Sequence, residues 1–160
     1  MLFLLATPEY NNIQSNTTKV RVHLRSGIAE VFEQHQDLMG KIDNNLVEIE
    51  TNFENRLEKI WFVLQDAVFV VSNQKNNSTP SAFEAEGTGV YVYAKRAKEI
   101  NSTLSLEEVS KQYEQKLGLW EAAKQAENAN DKLSGSKTLL LKEEVDFLKK
   151  VVAVIKDFKS

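Results

Sequence analysis

The chain has 160 residues, 42% of them hydrophobic, which is enough to bury one core of ordinary size or two small ones. Its net charge of −3 gives no overall basic character and argues against a nucleic-acid partner. The absence of cysteine excludes disulfides, thiol nucleophiles and cysteine-based zinc sites, and it suits a reducing compartment.

The opening MLFLLATPEY has no basic residue ahead of its apolar run, and the run is shorter than the core of a secretory signal. It predicts a buried first strand. TTKVRVHL then alternates, with Thr18, Val20, Val22 and Leu24 on one side and Lys19, Arg21, His23 and Arg25 on the other. That is the pattern of a half-buried strand. Ser26-Gly27 punctuates, and GIAEVF reads as the returning strand. NLVEIETNF alternates again, Leu46 (or Val47), Ile49 and Thr51 against Glu48 and Glu50. KIWFVL and AVFVVS flank Gln65-Asp66 and predict a hairpin with two apolar arms. Together they are too short and too interrupted to span a bilayer. Residues 73–89 are polar, broken by Pro80, Gly87 and Gly89, and predict a long exposed loop before VYVYA. Phe62, Phe69, Tyr91 and Tyr93 alternate as strand residues do and are expected in the core.

After Tyr93 the period changes to 3.6. AKRAKEI (94–100) reads as a solvated helix face, and a nucleotide-phosphate contact is the lesser alternative. Ser105 followed by Glu108 has capping-box spacing. Leu106, Val109, Tyr113, Leu117 and Trp120 then form one apolar face of a helix over about 104–128. NANDKLSGSK, with Gly135, breaks it. A second helix over about 138–158 carries the stripe Leu141, Val145, Leu148, Val152 and Ile155, flanked by Lys149, Lys150, Lys156 and Lys159. Residues 1–93 carry 7 basic and 12 acidic groups, whereas 94–160 carry 13 and 11, so charge divides where the period does. The expected fold is α+β: an N-terminal antiparallel β-sandwich (1–93) followed by a C-terminal antiparallel two-helix hairpin (94–160).

His35 and Asp37, in VFEQHQDLMGKI, are the one place that suggests chemistry. A metal site needs three or four convergent ligands, and the only other histidine is His23. No G-x-S-x-G, S-x-x-K, H-E-x-x-H or phosphate-binding glycine loop is present. The plain reading is a turn in which Asp37 and Gln34 or Gln36 satisfy backbone groups while Leu38 and Met39 point inward. No catalytic, metal or cofactor residue is expected, and the protein is read as a non-enzyme. With 16 Lys against 4 Arg and many Asn, the composition suits an AT-rich bacterial genome.

The order of these features resembles the epsilon subunit of F-type rotary ATP synthases, the counterpart of mitochondrial delta. The residues that carry the resemblance run through nearly the whole chain: FLLATPEY, then KVRVHLRSG, then VFEQHQDLMGKI with its HQDL stretch, then VYVYA leading into two antiparallel helices. The resemblance implies a rotor part without a catalytic site of its own, in which the His35 segment is structural. The sandwich would hold the gamma subunit and, in a complete synthase, touch the c-subunit ring. The helices would be mobile, permitting hydrolysis when folded down. When extended, they would block rotation by contacting the catalytic beta subunit through Lys149, Lys150 and Lys156. Leu141, Val145, Leu148 and Val152 would pack on gamma, and His35, Asp37 and Leu38 would lie in a partner contact. The protein would sit peripherally at the cytoplasmic face of the cell membrane, bound there only through the complex. Ile100-Asn101 is followed by Ser-Thr-Leu-Ser, without the Arg-Ala of ATP-binding family members, so no nucleotide is expected. An unrelated β-sandwich interaction module with a helical arm is the alternative.

Overall fold

The computed structural model describes residues 1–9, 12–74, 87–128 and 135–159. Among the described residues eight strands precede two helices: β1 (Leu2–Ala6), β2 (Ile13–Asn16), β3 (Lys19–Leu24), β4 (Gly27–Val31), β5 (Leu38–Ile42), β6 (Asn45–Phe53), β7 (Arg56–Gln74), β8 (Gly87–Ile100), α1 (Leu106–Asn128) and α2 (Gly135–Lys159). Two compact units divide after Asn101. The expected α+β order holds, with a mostly antiparallel sheet followed by the helices. One pair departs from it, because β1 runs parallel to β8.

The sheet order is β2-β1-β8-β7-β6-β3-β4, with β5 pairing β7 alone. Each of β1 and β3 to β8 sends residues into one core, among them Phe3, Val20, Val31, Ile42, Ile49, Phe69 and Val92, all 0–1% exposed. A single sheet achieves that only by folding over on itself. Val20 and Val22 of β3 and Val47, Ile49 and Thr51 of β6 point inward, as their alternation predicts. Val47, not Leu46, is the core member.

The fold-over happens at one level of the sheet. β5 and β6 share a single register against β7: Ile42 lies opposite Ala67, and Asn45 opposite Leu64. They are one strand interrupted at Asp43-Asn44. Opposite the break, Asp66 takes a φ of 48° and its N–H donates to the Asp43 carbonyl at 3.2 Å. Inward residues are Phe62 and Leu64 before this point and Ala67, Phe69 and Val71 after it, so the core-facing phase reverses. β8 reverses likewise, from Val92 and Ala94 to Ala97. Buried Gln65 accepts a hydrogen bond from Arg96 Nη1 at 2.7 Å, which satisfies its side-chain oxygen. Gln65-Asp66 is therefore a corner in one long strand, and the expected hairpin there is not formed. A polar pair between two apolar arms has the same signature in either case.

Two other expectations change. AKRAKEI is strand, because β8 continues to Ile100 and pairs with Trp61–Gln65 of β7. Gly135 is the first residue of α2 rather than a break within the connection. Most of the polar segment expected as an exposed loop, 75–86, lies outside the described residues.

Within the second unit, Ser105 Oγ accepts from the Glu108 N–H at 3.3 Å, so Ser105 caps α1 as its spacing predicts. The helices run antiparallel. Lys116 Nζ meets Glu144 at 2.7 Å, and Lys159 Nζ donates to the Leu104 carbonyl at 3.0 Å. The Trp120 ring lies between Lys124 and Lys142, each ammonium 5.2 Å from its centroid. No helix of the described residues is long and apolar enough to cross a membrane.

Candidate docking surface

The His35 loop is tied together by hydrogen bonds. His35 Nδ1 engages the neighbouring Gln36 carbonyl at 2.8 Å, while Asp37 Oδ1 accepts from the Asn73 backbone N–H at 2.9 Å and its side-chain amide at 3.2 Å. Asn73 Nδ2 also donates to the His35 carbonyl. Thr88 completes the knot. Its hydroxyl donates to Asn73 Oδ1 at 2.5 Å and accepts from the Gln34 N–H at 2.7 Å, and its own N–H donates to Glu33 Oε1 at 2.9 Å. That bond, with the Met1 ammonium 3.1 Å from Glu33 Oε2, holds the Glu33 carboxyl below the usual glutamate range. Gln34 takes a φ of 65°, which turns the chain into the knot. Among the described residues no three His, Asp or Glu side chains converge as a metal ion requires.

Asp37 thus satisfies a backbone group, as the plain reading expects. Leu38 lies on the core side of β5 with Ile42 yet stays 36% exposed, whereas the inward placement of Met39 is not found, since it is 73% exposed. Val71, across from Leu38, fills the core, and Met39 faces out by alternation.

Met39 opens onto a wider surface. On the outer side of the sheet it lies opposite Val70, Val70 opposite Tyr91, and Tyr91 beside Leu4. The next row runs Lys41, Val68, Tyr93 and Ala6. Met39, Val68, Val70, Tyr91 and Tyr93 therefore form a contiguous apolar patch bordered by Lys41, with Met39 73%, Val68 42% and Tyr93 54% exposed. The correction to the aromatics follows: Phe62 and Phe69 are buried, but Tyr91 and Tyr93 stand on this outer face. The signal was present in AVFVVS and VYVYA, which are apolar at both odd and even positions, as strands covered on both faces are.

Elsewhere the outer side is quite different. Arg21 of β3 lies between Glu30 and Glu48, bonding them at 2.8 and 3.1 Å, and Lys19 reaches Glu50 at 2.8 Å with Lys59 at 3.6 Å. The two lysines, Lys19 first, hold the Glu50 carboxyl below its ordinary range. Such a cross-strand ladder is at home in water; the apolar face is not, and contiguous apolar surface of this kind marks an interaction site.

The hairpin residues named from sequence occupy two sides of α2. Val145 is buried, and Leu141, Leu148 and Val152 are half-buried, with Phe147, Val151 and Ile155 also buried. Lys149 and Lys156 are exposed, and Lys150 is half-buried. Phe147 and Val151 were not in the sequence stripe, which the structure widens.

No protein-family model and no curated protein matches the sequence. Among solved structures, a chain of the Euglena gracilis mitochondrial ATP synthase, from the OSCP/F1/c-ring structure in rotational state 1, matches 96% of this chain and 79% of its own. The TM-score is 0.56 at 12% identity. A chain of the Tetrahymena thermophila mitochondrial ATP synthase central stalk/c-ring structure matches over 94% and 95%, at 13% identity and TM-score 0.45. The likeness is one of fold: a mostly antiparallel sheet followed by a helical hairpin is shared by this chain and a chain of the Euglena ATP synthase.

Proposed function

We propose that the protein is a non-catalytic central-stalk subunit of an F-type or F-type-like rotary ATPase, the counterpart of epsilon. The observation that carries this reading is the apolar outer face of β5, β7, β8 and β1, on a chain whose fold recurs in an ATP synthase. A face of this kind, left in water, costs free energy that a protein partner recovers by covering it. The partner in this reading is the gamma-type subunit. The exposed Lys149 and Lys156 of α2 then provide a basic flank for an acidic surface on the catalytic beta-type subunit, through which the helices regulate hydrolysis. Contact with a c-type ring and residence at the cytoplasmic face of the membrane follow from membership of the complex. The order of residue features along the chain points to the same assembly.

Tagged purification from the native cell tests the proposal. Recovery of gamma-type and alpha/beta-type ATPase subunits in fixed stoichiometry is the expected result. Recovery of the protein alone, or with unrelated partners, overturns it in favour of an unrelated interaction module.

A further inference from the structure

We propose that Met39 is an oxidation site through which peroxide controls docking on the apolar sheet face; this rests on the docking reading above. The chain has no cysteine and two methionines. Met1 packs partly buried against the core, whereas Met39 is 73% exposed. The Met39 thioether is therefore the one sulfur of the chain that stands open to solvent. Its place matters as much as its exposure. It sits on β5, which pairs with β7 alone, directly across from Val70 and in line with Tyr91 and Leu4. Unbranched and polarizable, a methionine there adapts to a partner's contour.

The chemistry is a two-electron oxygen transfer. A sulfur lone pair attacks one oxygen of hydrogen peroxide, the O–O bond breaks, and the second oxygen leaves as water with both protons. The sulfur is oxidised to the sulfoxide and the peroxide is reduced. An apolar side chain at the β5 edge of the face becomes a strongly dipolar one. Docking must then cover a sulfoxide oxygen beside Val70 and strip it of the water that solvates it. Because Met39 faces outward, the fold beneath it is unaffected. Reductases of the methionine-sulfoxide class would restore the thioether.

The full-length chain is treated with hydrogen peroxide, the peroxide is destroyed with catalase, and the residue carrying the added oxygen is located by peptide mass. Binding is then measured to the stalk subunit recovered in the tagged purification. The expected result is oxidation at Met39 well ahead of Met1, unchanged thermal unfolding, and affinity weakened by about tenfold or more, as for loss of an interface anchor. Met39→Leu, compared with its own untreated form, shows no change on peroxide treatment. Equal oxidation of Met1 and Met39, or undiminished affinity of the Met39 sulfoxide, overturns the inference and leaves the docking reading standing. Failure of the untreated chain to bind the subunit overturns the docking reading itself, and the inference with it.

Discussion

Asn73, at the end of β7, donates its backbone N–H to Asp37 Oδ1 at 2.9 Å, bridging 36 residues of chain. Its side chain adds bonds to the same carboxylate and to the His35 carbonyl while accepting from Thr88. One residue thus holds the loop before β5 to the facing ends of β7 and β8. Asn73→Ala deletes these side-chain bonds, and the buried Thr88 hydroxyl loses its acceptor and the His35 carbonyl the Asn73 amide. The expected cost is ~1–3 kcal/mol, read as a lower urea midpoint at unchanged slope. In the rotary reading, His35→Ala with Asp37→Ala keeps the ATPase rate of the assembly wherever the fold is retained. Loss of that rate in a folded variant would mean the pair is chemical after all.

Gly40 is where β5 comes close to the core. A Cβ added there would lie 2.8 Å from Cζ of Phe69, a ring that is fully buried and has nowhere to go. Gly40→Ala is expected to destabilise by about 1–3 kcal/mol through overpacking. Phe69→Leu alone opens space and costs stability of its own. In the double variant the two costs should be less than additive, because the smaller side chain admits the new methyl. A strictly additive double-mutant cycle in urea would show that the clash is relieved elsewhere.

Glu33 and Glu50 link stability to acid. Both carboxyls are held below the ordinary value of 4.5, Glu33 chiefly by the Thr88 N–H and Glu50 chiefly by Lys19. A depressed folded-state value means the native state binds its proton later than the unfolded chain does. Their stabilisation is therefore complete above the unfolded value and is lost as pH falls through the lower, native values. Unfolding temperature should be flat from neutrality down to the ordinary glutamate range and drop below it. Glu33→Gln and Glu50→Gln, each measured across that range, should flatten the drop. An unchanged acid slope in both would assign it to other carboxylates.

The parts of this fold that alternate cleanly were legible as sequence: β3 and β6 put charge on one side and branched apolar residues on the other. The corner was not. A strand whose core-facing phase reverses around Gln65-Asp66 looks locally identical to two arms of a hairpin, and only pairing with β5 and β6 tells them apart. β2 was missed because Ile13–Asn16 carries one apolar residue and is held by backbone bonding to β1. The second half of β8 was missed for the same reason, since pairing with β7 and not alternation keeps Arg96 to Ile100 extended. The outer apolar patch was hidden because Tyr91 and Tyr93 were assigned to the core with Phe62 and Phe69, whereas the two tyrosines face outward.

The helices invite a test that separates brake from anchor. If α2 regulates and the sheet docks, removing residues 134–160 leaves the first unit bound to the stalk. The ATPase rate of the assembly then stays equal or rises. The loss of Val145, Val151 and Ile155 strips α1 of its cover, so the remaining helix is expected to fray, visible as lost helical circular dichroism beyond the residues removed. Dissociation of the shortened chain from the stalk would make α2 the anchor and reduce the sheet face to a secondary contact.

The sheet face itself makes the sharpest prediction. Val68 and Tyr93 lie opposite one another on the outer side and are 42% and 54% exposed, so replacing either by an acid displaces little from the core. Val68→Glu and Tyr93→Asp should change folding stability by only about 0.5–1 kcal/mol. Docking, however, would have to bury a carboxylate within an apolar contact, and partner capture should weaken by about tenfold to a hundredfold. Ile28→Glu is the control. Ile28 is 60% exposed on β4 opposite His23, on the outer side of the charged ladder rather than the apolar face. An acid there should leave capture intact. If all three variants bind alike, the partner meets another surface; if only Ile28→Glu fails, the docking side has been misassigned and the ladder is where the partner sits.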